Sequence, residues 1–278
     1  MNDFAIASAV GLTESPPATS ELAEGARPAS TPVQAQRILQ IDSLTVSFDG
    51  IKAVNDLSLA VDQDELRVII GPNGAGKTTL LDMICGKTRP TSGSILFKGQ
   101  DLRRLAEHQI VRAGVGRKFQ TPSVYEDLSV IENFEISIPQ GQGVFGSLLF
   151  RRTPSVRSRI EHVAEQVFLA DALRRKAGQL SHGQKQWLEI GMLLIHDPQL
   201  LLLDEPVAGM SAREREATAE LLDRIARGRS LIVIEHDMDF VRSIARRVTV
   251  LHQGRVLSEG SVAQVQSDPR VVDVYLGH

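Results

Sequence analysis

The stretch that decides the fold is LRVIIGPNGAGKTTLL, residues 66–81. Its first five residues are mainly apolar and predict a short buried strand, and the residues from Lys77 onward predict a helix. Between them lies a glycine-rich loop, which we call the phosphate loop (residues 71–78). Its glycines allow successive backbone N–H groups to turn inward at the start of a helix, where anions are stabilised. The pattern therefore predicts a strand, a phosphate-binding turn and a helix.

The phosphate loop also contains side chains suited to a nucleotide. Lys77 is placed to reach the β- and γ-phosphates, and the Thr78 hydroxyl is placed to bind Mg²⁺. A glycine turn with a solvated lysine is the structural alternative, but a preceding apolar strand and a following helix favour nucleotide binding. The predicted nucleotide-binding residues of this segment are Gly71, Pro72, Asn73, Gly74, Ala75, Gly76, Lys77, Thr78 and Thr79.

A second apolar run, residues 200–203, ends in two acids, Asp204 and Glu205. Ligands of parallel sheets bind beyond the carboxyl ends of the strands. Asp204 is therefore expected to reach the Mg²⁺ ion and Glu205 the attacking water. Two acids after a strand also fit a solvated turn, and it is the presence of the phosphate loop that favours a catalytic role.

Elements around these two segments indicate an α/β fold. Alternating apolar residues over 44–61 predict an antiparallel hairpin, and apolar runs at 231–234 and 248–251 predict further buried strands separated by helices such as 213–227. We expect a mainly parallel sheet with the hairpin at its edge. Strand signals vanish over about 121–180, which predicts an inserted helical subdomain within a domain of residues 37–278. Residues 1–36, rich in Ala, Ser, Thr, Pro and Glu, are expected to be a disordered tail.

Composition excludes several classes of protein. The net charge of −3 lacks the basic surface expected of a nucleic-acid-binding protein. No stretch approaches the about 18 consecutive apolar residues that cross a bilayer, so any membrane association is expected to depend on another protein. The single cysteine, Cys85, is compatible with a reducing cytoplasm. Residues 144–150, followed by two arginines, fit either docking on a membrane partner or packing within the chain.

The pentapeptide LSHGQ at 180–184 precedes the acidic strand end, and with the phosphate loop it makes the chain resemble the ATP-binding cassette family. We call these residues the signature segment. The resemblance implies that Ser181, Gly183 and Gln184 bind the γ-phosphate of ATP held by an opposite subunit. Ser181 can equally be the N-cap of a helix, and both interpretations can hold together. His182 stands where the family usually has glycine.

Three further residues match family positions. Gln120 corresponds to the glutamine that meets Mg²⁺ or the attacking water, and His236 to the histidine that contacts the γ-phosphate and orients the catalytic Glu205. Phe48 falls where the family stacks an aromatic ring on adenine, although it also fits a core position in the hairpin. The resemblance thus implies MgATP hydrolysis. The segment after Glu205 departs from the usual pattern, so its contact between subunits is left unassigned.

Narrower similarities identify a branch of the family. Residues 116–122, 180–192 and 204–210 resemble the first ATP-binding subunit of bacterial urea importers, a branch close to the branched-chain amino-acid importers, and residues 271–277 are similar to both branches. Urea or a short amide is the expected cargo. The implied partners are two permeases, a second, non-identical ATP-binding subunit and an extracytoplasmic binding protein, with this chain on the cytoplasmic face of the membrane. A cassette protein acting on ribosomes or DNA, or a regulatory module without turnover, is the rival hypothesis.

Overall fold

The computed structural model describes residues 36–118, 124–138 and 153–276. The predicted tail of residues 1–36, except for its last residue, therefore lies outside the described residues, as do Gln120 and the segment 144–150. None of the helices in the described ranges combines the length and the apolar character that crossing a bilayer requires.

The described strands and helices follow the order expected for an α/β protein. The strands are β1 (Arg37–Phe48), β2 (Ile51–Asp62), β3 (Leu66–Ile70), β4 (Ser92–Phe97), β5 (Gln100–Asp101), β6 (Val115–Lys118), β7 (Leu200–Asp204), β8 (Ser230–Ile234), β9 (Arg247–His252) and β10 (Arg255–Gly260). The helices are α1 (Lys77–Ile84), α2 (Glu107–Ala113), α3 (Val130–Ser137), α4 (Pro154–Gln166), α5 (His182–Leu194), α6 (Ala212–Ile225), α7 (Met238–Ile244), α8 (Val262–Ser267) and α9 (Pro269–Leu276). The predicted fold class is confirmed.

The larger sheet has the strand order β10-β9-β3-β8-β7-β6, in which β6, β7, β8, β3 and β9 are parallel and β10 is antiparallel to β9. Every residue of β3, β7 and β8 is buried. Alternate residues enter separate cores: Val68 and Leu203 face one, Ile69 and Leu202 the other. Both faces of the sheet are therefore covered, which explains the continuous apolar runs in the sequence.

The hairpin belongs to a second sheet, so its predicted place at the edge of the parallel sheet was wrong. Strands β1 and β2 join β4 and β5 in the order β2-β1-β4-β5. The buried face of the hairpin, including Leu57 and Val61, shares a core with Leu80 and Leu81 of α1. The hairpin thus covers one face of the parallel sheet across α1, and β10 occupies the edge beside β9.

The interval predicted to be helical contains α3 and α4, with short 3-10 helices at Ala170–Ala172 and Ala177–Gln179. Helix α5 packs with them: Phe134, Val163 and Ile190 belong to one core. The proposed boundaries of this subdomain, about 121 and 180, stay a prediction.

Candidate functional site

The phosphate loop follows β3 at the carboxyl end of the sheet, and its glycines permit contacts that other residues would block. Gly71 has φ +151°, and a Cβ there would lie 2.2 Å from the Leu251 carbonyl oxygen. Gly76 has φ +97°, and its Cβ would lie 2.4 Å from the Ala53 carbonyl oxygen. Both are closer than real Cβ atoms approach, so the loop is fitted directly against β9 and β2.

Lys77, the first residue of α1, folds back across the loop. Its Nζ donates hydrogen bonds to the carbonyl oxygens of Gly71, at 2.7 Å, and Pro72, at 3.0 Å. Burial lowers the pKa of Lys77, and the negative charges of Glu205 and Asp204 partly offset that effect. Lys77 also lines a pocket of about 280 Å³, together with the other residues of 73–79 and with Ala53, Glu205 and Ile234.

Asp204 ends β7 and is only 1% exposed. Within the described part of the chain, neither carboxylate oxygen has a partner at hydrogen-bond geometry. Burial raises the pKa of Asp204, and the nearby Thr78 hydroxyl opposes this effect. Buried carboxylate oxygens without partners next to a hydroxyl suit a hard divalent cation such as Mg²⁺, which prefers oxygen ligands.

Glu205 and His236 meet where β7 and β8 end. The His236 Nδ1 lies 3.5 Å from the Glu205 Oε1. The backbone of Glu205 has φ +48°, and its N–H donates to the Ile234 carbonyl oxygen at 3.0 Å. Positive φ is uncommon outside glycine, and Glu205 adopts it directly after the strand, where the residue lines the phosphate-loop pocket.

Glu235, between β8 and His236, is a residue to which the sequence assigned no role. It is 1% exposed, and its carboxylate accepts the N–H of His236 at 3.1 Å and the N–H of Val207 at 3.3 Å. Burial raises the pKa of Glu235, while these backbone donors favour its charged form. The side chain therefore joins the backbone that follows Glu205 to the backbone of His236.

The signature segment begins α5. The Ser181 side chain accepts the Gln184 N–H at 3.1 Å, and the Gln184 side chain accepts the Ser181 N–H at the same distance. This reciprocal capping confirms the N-cap interpretation. The ring nitrogen Nε2 of His182 lies 3.1 Å from the Ala208 carbonyl oxygen, so this histidine contacts the segment that follows Glu205.

The predicted residues fall into two groups. Residues 73–78 of the phosphate loop line one pocket with Glu205, whereas Ser181, Gly183 and Gln184 are not among the described residues that line it. Phe48 is 49% exposed at the end of β1, which excludes the core alternative and leaves its ring accessible. The signature segment therefore lies outside the lining of the phosphate-loop pocket.

Comparisons with known proteins identify the family of the chain. A family model described as ABC transporter matches residues 54–208, and one described as branched-chain amino acid ATP-binding cassette transporter matches residues 255–278. The chain belongs to the ABC transporter family. It is similar to the high-affinity branched-chain amino acid transport ATP-binding protein BraF of Pseudomonas aeruginosa, with 36% identity over 86% of this chain and 98% of the relative. It is also similar to the protein of the same description, LivG, of Escherichia coli K12, with 35% identity over 87% of this chain and 99% of that one.

A solved ABC transporter cassette in its ADP conformation superimposes with a TM-score of 0.78 at 29% identity, covering 87% of this chain and 100% of the other. This cassette is thus an ATP-binding, ATP-hydrolysing subunit of a transporter that works with membrane permeases. The descriptions of BraF and LivG specify branched-chain amino acid transport. They therefore favour branched-chain amino acids, the alternative cargo, over the expected urea.

Proposed function

We propose that this ABC cassette hydrolyses MgATP to power an importer of branched-chain amino acids or closely related small solutes. The observation that carries the cargo class is the match of residues 255–278 to the branched-chain amino acid cassette model. The contact between Glu205 and His236 beside the phosphate-loop pocket supports hydrolysis. Urea or a short amide is the second candidate, favoured by the likeness of residues 116–122 and 180–192 to urea importers.

Each residue in and around the phosphate-loop pocket has a separate role in phosphoryl transfer. Lys77 exchanges its two loop carbonyls for the β- and γ-phosphate oxygens, while the inward-facing backbone N–H groups bind the β-phosphate. Thr78 and Asp204, together with Gln120 by the family resemblance, would hold Mg²⁺, and the ion would supply positive charge next to the phosphates. Phe48 stacks on adenine. Glu205 orients and polarises the attacking water, and His236 holds both Glu205 and the γ-phosphate.

Ser181, Gly183 and Gln184 complete the site of a second cassette that faces this one. Separation of the signature segment from the phosphate-loop pocket within the chain supports this arrangement. We propose that the facing subunit is a non-identical cassette and that two permeases hold the pair at the cytoplasmic face of the membrane. An extracytoplasmic binding protein delivers the cargo to the permeases, so the cassette responds to a solute that it never touches.

The test reconstitutes this cassette in liposomes with the permeases, second cassette and binding protein encoded beside its gene. ATPase rate is measured with leucine, urea, a short amide or no solute. We expect leucine to stimulate hydrolysis. Stimulation by urea alone would assign the urea branch and leave the nucleotide site unchanged, whereas hydrolysis insensitive to every solute and to the permeases would contradict a transport role.

A further inference from the structure

The hydroxyl of the signature serine is engaged within its own chain. The Ser181 Oγ donates a hydrogen bond to the Glu214 Oε1 at 2.8 Å. Glu214 lies in the first turn of α6, directly after the segment that follows Glu205. Its other oxygen, Oε2, accepts the Ser211 N–H at 3.0 Å and the Ser211 hydroxyl at 2.8 Å. Glu214 thus connects the start of α5 to the start of α6.

The Glu214 carboxylate also packs closely against the backbone of Gly183. A Cβ at Gly183 would lie 2.5 Å from both Cδ and Oε1 of Glu214, a distance that real Cβ atoms do not reach. A glycine in the first turn of α5 therefore allows Glu214 to approach Ser181. The hydrogen bonds from Ser211 and Ser181 lower the pKa of Glu214, so the carboxylate stays ionised near neutral pH.

A serine hydroxyl has one proton to donate. While the Ser181 proton points at Glu214, the oxygen can offer an approaching phosphate only lone pairs. The Glu214 carboxylate also repels a phosphate that comes within hydrogen-bond reach of Ser181, because both groups are negative. Binding of a phosphate by Ser181 thus requires the hydroxyl to turn away from Glu214.

We propose that Glu214 is a positioning residue. Its carboxylate accepts the hydrogen bond of the Ser181 hydroxyl until the γ-phosphate on the facing subunit replaces the carboxylate as the acceptor. The proton stays on Oγ throughout, and only the acceptor changes, from the Glu214 carboxylate to a phosphate oxygen. Glu214 thereby sets the ATP concentration at which the two cassettes close. This inference rests on the proposed role of Ser181 in the facing site.

Glu214→Gln tests the inference with little change to the helix cap, because glutamine serves as well as glutamate at the third position of a capping box. Its amide can donate to the Ser181 Oγ, which leaves the hydroxyl proton free for phosphate. In the reconstituted transporter we expect the KM for ATP to fall about threefold to tenfold, the change that one net hydrogen bond produces. The kcat should change much less.

Two control variants separate the possible outcomes. Ser211→Ala removes a contact of Glu214 that does not involve Ser181, and it should lower the thermal midpoint while leaving KM unchanged. Ser181→Ala should raise KM. An unchanged or higher KM in Glu214→Gln, with KM raised in Ser181→Ala, would overturn the inference and leave the proposed function intact. If Ser181→Ala also keeps the wild-type KM, the facing-site role of Ser181 is wrong as well.

Discussion

The His236 Nδ1 lies 3.5 Å from the Glu205 Oε1, at the adjoining carboxyl ends of strands β8 and β7. His236 is 68% exposed at its side chain, and Glu205 only 33%. The imidazole therefore covers one side of the carboxylate and keeps its own outer face available for a ligand. This geometry allows one histidine to orient the carboxylate and to contact a phosphate beside the pocket that Glu205 lines.

His236→Ala should lower single-turnover ATP hydrolysis by about a hundredfold, because Glu205 loses the side chain that orients it. MgATP affinity should change less, because the phosphate loop is untouched. A filter-binding titration and a quenched-flow assay measure the two quantities. Replacement of the exposed His108 by Ala serves as the control and should leave both at wild-type values, whereas equal hydrolysis rates in the two variants would refute the role of His236.

Lys77→Ala should weaken MgATP binding roughly tenfold to a hundredfold, because a charge-assisted contact with phosphate is lost while the backbone donors of the loop stay in place. Isothermal titration of the purified cassette measures this affinity. Lys176, exposed and outside the phosphate-loop pocket, gives the matched alanine control. Unchanged affinity in Lys77→Ala would show that the phosphate loop is wrongly assigned.

Glu235→Gln should reduce kcat about tenfold with little change in KM for ATP, because the amide nitrogen cannot accept a backbone N–H and the segments that carry Glu205 and His236 lose a shared anchor. The free energy of unfolding should fall by about 1 to 3 kcal/mol. Steady-state kinetics and urea denaturation measure these effects. Glu216→Gln, at an exposed site on α6, should change neither, and a purely structural Glu235 would lower stability without lowering kcat.

Asp204→Asn should abolish hydrolysis and yet raise the thermal midpoint of the ligand-free cassette at neutral pH. Burial raises the pKa of Asp204, so the folded state binds its proton more tightly than the unfolded state does. The ionised carboxylate therefore destabilises the fold once the pH exceeds the folded pKa, and this penalty disappears below the unfolded pKa. The gain in midpoint should shrink as the pH is lowered, and a variant that is less stable at every pH would contradict the buried-charge account.

Local patterns in the sequence predicted the strands that lie fully inside the larger sheet, because β3, β7 and β8 are buried on both faces and read as apolar runs. Strand β6 gave no such signal. It contains Arg117 and Lys118, which are buried because Asp82 and Glu189, distant in the chain, pair with them. Burial lowers the pKa of Lys118, and the charge of Glu189 counteracts that effect. A short stretch of sequence does not contain both partners of either ion pair, so it cannot show that these two charged residues are buried.

The phosphate loop could be singled out from the sequence because its strand, glycines and helix start are adjacent in the chain, whereas His236 was singled out only by the family resemblance. Glu235 and Glu214 could not be predicted in this way. Their partners, Val207 and Ser181, lie 28 and 33 residues away, so the contacts exist only in the folded chain. The acid that directly follows the apolar run 231–234 was the single local signal for Glu235, and the serine three residues before Glu214 indicated only a capping box.

The most direct test of the account is single-turnover hydrolysis by Glu205→Gln in the reconstituted transporter. Glutamine keeps the shape of the side chain and removes the charge that orients and polarises water. We predict that MgATP binds with wild-type affinity, that the γ-phosphate is cleaved at least about a hundredfold more slowly, and that cargo uptake stops. Cleavage at the wild-type rate would contradict the assignment of Glu205 and, with it, the catalytic pair that Glu205 forms with His236.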